Sequence, residues 1–161
     1  MTPSALIDKA INEAYNLFDL YFDPKRKNRI YHFAFIFKRK RIIAIGMNKP
    51  TKFDSKTKYF GIKYNIPKYK KYCYAHAEVD AISKCWGKTL LGSNHTLIVI
   101  RINKKRQLCN SKPCVNCQKI LNEIALKQIW WSNNEGIFCN NTGNKYTIQN
   151  HAKRSLDLIQ I

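Results

Sequence analysis

The chain of 161 residues is 45% hydrophobic and 12% aromatic, enough for one packed domain, too short for two, and unlike an intrinsically disordered chain. Lys and Arg number 29 against 10 Asp and Glu, a formal charge of +19, which points to a polyanionic partner; the plainer reading is a solvated lysine coat. No apolar run approaches the roughly 18 residues of a membrane span, so no membrane partner is expected.

Residues 1–18 lack the cationic-then-apolar order of a secretory leader. They instead place Leu6, Ile7, Ala10, Ile11, Ala14, Leu17 and Phe18 at helical spacing, so an amphipathic first helix is expected. Two β-like runs, Tyr31–Phe37 and Arg41–Met47, flank the turn Lys38-Arg39-Lys40 as a hairpin. The basic and aromatic stretch 48–75 reads as a long irregular loop, a feature that is usually functional or mobile. A second helix is expected over Ala77–Cys85, with Gly87 beyond its end, then a buried strand over His95–Ile102. Pro113 opens a third helix with Ile120, Leu121 and Ile124 on its buried side. Lys127–Ser132 reads as a fourth strand and Asn150–Ile159 as a closing helix. Alternation after the hairpin implies parallel strands with crossover helices. The expected fold class is α/β, a three-layer α/β/α sandwich forming a single domain over 1–161.

Two short motifs carry the chemistry: His76-Ala77-Glu78 and Pro113-Cys114-Val115-Asn116-Cys117. Each opens a predicted helix. By chance the two would co-occur on the order of once in a thousand chains of this composition, so the pair is specific where each alone is weak. With no leader expected, the six cysteines read as metal ligands and small apolar residues rather than disulfide partners. The expected compartment is reducing and cytoplasmic, in a cell or, for a viral protein, in its host. A catalytic zinc takes three protein ligands and keeps a fourth position for water, which it makes acidic near neutral pH. His76, Cys114 and Cys117 supply the three, for one Zn2+ per chain, and the start of a helix favours the thiolate form of both sulfurs. Glu78 is placed to reach the water rather than the metal. H-x-E…P-C-x-x-C is the signature of zinc deaminases, in which the Glu moves protons during attack on C4 of cytosine or C6 of adenine. A residue acting first as base and then as acid is expected to have its pKa raised by a closed site.

With Gly46-Met47-Asn48, Ala75-His76-Ala77-Glu78, Ser111 to Cys117 and the strand Lys127 to Ser132, the chain resembles the cytidine/deoxycytidylate deaminase superfamily over about residues 1–135. It is most similar to the deoxycytidylate-type branch of bacteria and large DNA viruses. The resemblance implies a five-stranded mixed sheet with helices on both faces, and a nucleotide or single-stranded nucleic acid as substrate. It also implies that Asn48 binds the target nucleotide near its sugar or base, that the Ala77 N–H contacts the base, and that the Pro113 carbonyl accepts the exocyclic amine. Relatives commonly assemble through central helices, which leaves a homo-oligomer open. Two segments depart from the family pattern: the enlarged stretch between Asn48 and His76, and a basic extension, Asn103–Asn110, read as a hairpin.

Other readings compete. Cys73 lies three residues before His76, so Cys73-x2-His76…Cys114-x2-Cys117 also fits a closed four-ligand site, a zinc-stapled nucleic-acid-binding module without catalysis. That reading gives Glu78 no task. Among deaminases, adenosine in a tRNA is the alternative to cytosine. Asn48 beside Pro50 also suits an ordinary strand end. Between Pro24 and Ala77 stand sixteen Lys and Arg and one acid, Asp54, interleaved with Phe53, Tyr59, Phe60, Tyr64, Tyr69, Tyr72 and Tyr74. Lysines on phosphates and rings on bases would bind a single strand, with Lys63, Lys68, Lys70 and Lys71 as the candidate contacts. Alternatively, the rings anchor the stretch and the lysines solvate it.

Overall fold

The computed structural model describes residues 2–26 and 29–148. The closing helix expected at 150–159, and His151 with it, lie outside them. Pro3 begins α1 (Pro3–Tyr21), which buries Leu6, Ile7, Ala10, Ile11, Ala14 and Phe18 as its spacing foretold. Next come β1 (Tyr31–Lys38) and β2 (Arg41–Met47), paired antiparallel, with Arg39 taking the left-handed turn conformation at φ 56°. The chain then runs through β3 (Lys49–Phe53), α2 (Ser55–Lys63), α3 (Pro67–Tyr72), β4 (Tyr74–Ala75), α4 (Ala77–Cys85) and β5 (His95–Ile102). It continues with β6 (Leu108–Cys109), α5 (Val115–Ile124), β7 (Gln128–Ser132), β8 (Ile137–Asn140) and β9 (Lys145–Thr147).

The main sheet has the order β2-β1-β5-β7-β8-β9, with β6 paired to β5. It is mixed and flanked by helices on both faces, as expected. Five strands were expected; β2, β1, β5, β7 and β8 supply them, and the short β6 and β9 raise the count to seven among the described residues. Strands β2, β5 and β7 point the same way, yet only β5 and β7 pair in parallel. The route from β2 through α4 to β5 passes over β1, whose antiparallel bonds to both neighbours separate them. Parallel direction was thus readable from the alternation, and pairing was not.

The stretch 48–75 is not the irregular loop expected from its composition. Asp54 caps α2 by accepting the Lys56 and Thr57 N–H groups at 2.8 and 3.0 Å, and Pro67 opens α3. Phe60, Ile66 and Tyr69 then sink into the core. Lysine-rich helices this short are marginal alone, and tertiary burial decides them. The hairpin expected at 103–110 is present as the β5–β6 pair.

Side chains of β1 alternate between two cores. Tyr31, Phe33, Phe35 and Phe37 pack under α1, while Ala34 and Ile36 meet Val79, Ile82, Ile120 and Leu121 from α4 and α5. The small residues on the second face let α4 approach closely. At Gly46 the approach is closest, since a Cβ there would collide with the Ala77 carbonyl and the Ala81 nitrogen. Gly46 thereby sets the height of the first turn of α4 above the sheet, next to Asn48.

Candidate active site

Two helix N-termini meet above the carboxyl end of the β5–β7 parallel pair. His76 is the N-cap of α4 and Cys114 the N-cap of α5; neither side chain caps its own helix, which leaves both to face the space between. Cys117 follows in the first turn of α5. Ser111 anchors the segment before Cys114: its Oγ donates to the Val99 carbonyl at 2.6 Å and accepts the Ser132 N–H at 2.8 Å. That pins the approach to α5 on the ends of β5 and β7.

His76 Nδ1 lies 3.4 Å from Cys114 Sγ and 3.5 Å from Cys117 Sγ, and the three donor atoms all fall within 4.8 Å of one another. Tetrahedral zinc with Zn–S of about 2.3 Å and Zn–N of about 2.0–2.1 Å places nitrogen and sulfur about 3.5 Å apart. The donors present therefore fit the ion. The electrostatics agree. A hydrogen bond from Cys117 lowers the Cys114 thiol to about 3, against the opposing effect of burial and with help from His76. The same contact and burial push Cys117 well above its usual value. One sulfur ionises only at the other's expense, and a cation between them lets both be thiolates. Among the described residues no further His, Cys, Asp or Glu joins this group.

Cys73 was the possible fourth ligand of a closed site, and the structure turns it away. It ends α3 in the left-handed region, φ 44°, with its Sγ against the Lys70 carbonyl at 3.5 Å. The closed four-ligand module is not formed.

Glu78 is 1% exposed, and its Oε2 has no hydrogen-bond partner among the described residues. Burial pushes its carboxyl up to about 7, with its own backbone N–H and His76 pulling the other way. A buried carboxyl oxygen without a partner, beside three metal donors, is equipped to exchange a proton with a small molecule bound there.

Asn48 joins β2 to β3. Its Oδ1 accepts the His32 N–H at 3.2 Å and its own N–H donates to the His32 carbonyl at 3.3 Å, so the amide NH2 is the group it has to offer. Lys49 stands opposite Ala75 in the β3–β4 pair, which ties the residue after Asn48 to the residue before His76. Ala77 is buried at the first position of α4. The Pro113 carbonyl accepts Gln118 Nε2 at 2.6 Å, so a substrate amine would share it through the second lone pair.

The four lysines separate. Lys68 is exposed on α3 and is felt electrostatically by His76. Lys70 Nζ donates to Asn65 Oδ1 at 2.9 Å, and Lys71 lies 5.2 Å from the Tyr72 ring centroid. Lys63 instead rests on Trp86, 4.4 Å from its ring centroid, beside the carboxyl end of α4. It lines a cavity of about 530 Å³ with Leu90, Leu91 and Ile124, away from the metal donors. The rings divide too: Phe60 and Tyr69 are core, while Phe53, Tyr59, Tyr72 and Tyr74 are exposed. The anchoring reading of the aromatic stretch holds for Phe60 and Tyr69.

Two residues escaped the sequence reading. Asp80, 2% exposed, receives Met47 N–H, Lys49 and Lys84; its signal was an acid one turn past the motif histidine in a chain poor in acids. Tyr69 places its hydroxyl 2.9 Å from Cys117 Sγ, and burial with the neighbouring sulfurs holds that phenol protonated. No spacing rule singles it out from the other tyrosines.

Three convergent donors at two helix starts, with a buried carboxyl beside them, define a zinc-binding deaminase site. Residues 24–133 match the model of the cytidine and deoxycytidylate deaminase zinc-binding region, more than half of the chain. The chain belongs to this family and is a zinc-dependent hydrolytic deaminase. Its fold is similar to cytidine deaminase from Burkholderia pseudomallei, with TM-score 0.52 and 16% identity over 88% of this chain and 92% of that one. A dCMP deaminase from the cyanophage S-TIM5 aligns with TM-score 0.48 and 18% identity over 83% of this chain and 86% of that one. No curated protein matches the chain. Among the described residues no helix is long and apolar enough to cross a membrane.

Proposed function

We propose that residues 1–161 act as a single deaminase domain that converts cytosine to uracil in a nucleotide or a single-stranded nucleic acid. The observation that carries the reading is the orphaned Glu78 oxygen beside the His76, Cys114 and Cys117 donors. The family's named substrates favour cytosine over adenine. His76, Cys114 and Cys117 hold one zinc ion. Zinc bound there supplies Lewis acidity, letting water give up a proton near neutral pH. Glu78 takes that proton as oxygen adds to C4 and delivers it to ring N3. It then takes the proton of the new C4 hydroxyl and passes it to the amino group, which leaves as ammonia as the C4–N bond breaks and the C4 carbonyl forms. The amide NH2 of Asn48 orients the sugar or base, the Ala77 N–H meets the base, and the Pro113 carbonyl accepts the exocyclic amine.

A single strand as substrate is supported by the surface around the site. Exposed Tyr72 and Tyr74 stand beside Lys68, Lys70 and Lys71 in the segment that leads to His76. Rings for bases next to cations for phosphates suit a polynucleotide better than one nucleotide. Incubating the pure zinc protein with cytidine nucleotides, single-stranded oligonucleotides and tRNA, and following uracil and inosine, tests the reading. Uracil is expected, in oligonucleotides above all. Inosine alone would replace cytosine by adenosine, and the absence of both products would overturn the proposal.

A further inference from the structure

We propose that Tyr69 is a positioning residue for the metal centre, its phenol donating a hydrogen bond to the Cys117 thiolate. The hydroxyl lies 2.9 Å from Cys117 Sγ and 3.8 Å from Cys114 Sγ. The ring meets His76 edge-on, centroids 5.4 Å apart, and the residue is 2% exposed. Tyr69 therefore touches all three donors of the zinc site at once. With a cation in place both sulfurs are thiolates, which only accept, so the O–H must be the donor. A phenol buried this deeply needs such a partner.

The tyrosine arrives from outside the motifs, on the helix pair that enlarges the stretch between Asn48 and His76. That pair is built to hold it still. Phe60 and Ile66 anchor it in the core at 1% and 0% exposure. Gly61 lets α3 lie directly on α2, since a Cβ there would sit 2.7 Å from the Lys70 nitrogen and 2.9 Å from the Tyr69 carbonyl carbon. The α2–α3 segment is thus a strut that presses one hydroxyl against a ligand sulfur. A donated hydrogen bond fixes the direction of the thiolate and draws off part of its negative charge. Removing partners of this kind typically costs about 10–100-fold in metal affinity or activity.

The inference rests on the zinc-site reading above. Its test is Tyr69→Phe, which keeps the ring and removes the hydroxyl. Three quantities are compared with wild type: zinc affinity by chelator competition, the thiolate-to-metal charge-transfer band of the cobalt(II)-substituted protein, and thermal unfolding of the metal-free protein. Expected are zinc binding weaker by about 10-fold or more and metal-free unfolding that stays cooperative, lowered only by the one hydrogen bond lost. The charge-transfer band should also move to lower energy, because the sulfur lone pair is no longer stabilised by the O–H. Unchanged affinity with an unmoved band would overturn the inference and make Tyr69 a packing ring, leaving the zinc site intact. A wild-type protein that binds neither metal would overturn the zinc site itself, and this inference with it.

Discussion

Lys49 and Asp80 are joined by an ion pair of 2.7 Å, and the other oxygen of the same carboxylate accepts the Met47 N–H at 3.0 Å. One buried carboxylate on α4 thus grips the residues on both sides of Asn48. It sits one helical turn beyond His76, so the element that presents a metal donor also positions the proposed nucleotide contact. Asp80→Asn keeps the shape and removes the charge, leaving Lys49 and Lys84 without their anion. Lys49 and Lys84 are half-exposed, which moderates the effect, and hydrogen bonds to charged groups contribute about 1.5–3 kcal/mol. The variant should lose about 1–3 kcal/mol in urea denaturation. It should also raise KM more than it lowers kcat; an unchanged KM would uncouple Asp80 from Asn48.

The same carboxylate predicts a pH dependence. Burial alone would raise the Asp80 pKa, but bonds from Lys49, Met47 N–H and Lys84 outweigh it and hold the folded value below the ordinary one. Stability from a depressed carboxyl is complete above the unfolded value, about 3.9, and is lost as pH falls through the folded value. In metal-free protein, the gap in urea midpoint between wild type and Asp80→Asn should be constant above about pH 5. It should close below about pH 4. A gap that widened with acid would reverse the assigned sign.

Glu78→Gln should keep the fold and the zinc, measured by metal analysis, and lose turnover. Gln matches the volume but cannot accept a proton at neutral pH. General acid–base catalysis contributes about 10²–10⁴-fold, and here one carboxyl serves several transfers, so the loss should reach the upper end or exceed it. Single-turnover activity within about tenfold of wild type would remove Glu78 from the proton path.

Reversing Lys68, Lys70 and Lys71 to Glu should weaken single-stranded oligonucleotide binding and flatten its salt dependence. Each phosphate contact contributes a log–log slope of about −0.7 on single strands. The wild-type slope should therefore be steeper than the variant's by up to about two units. Lys63→Glu is the internal control, because that side chain rests on Trp86 at the far end of α4 and should leave the slope alone. Equal slopes for wild type and the triple variant would make the lysines of α3 a solvated surface.

The metal site was readable from the chain because its residues lie within two short motifs, each placed at the start of a helix. Outside 48–75, and as far as Ser132, the order of the main strands and helices was readable because hydrophobic periodicity is a local property. So the sequence determined the zinc donors, the carboxyl beside them, and the α/β class. Everything that depends on segments distant along the chain waited for the tertiary structure. Burial of Phe60, Ile66 and Tyr69 turned an apparent loop into two helices, because the free energy that orders a lysine-rich segment comes from the core it meets. The left-handed turn at Cys73 and the placement of Asp80 against Lys49 were decided the same way. Cys73 stands three residues from His76 just as Cys114 stands three from Cys117, yet only the second pair opens a helix. There the turn aligns both side chains, whereas the end of α3 points Cys73 elsewhere.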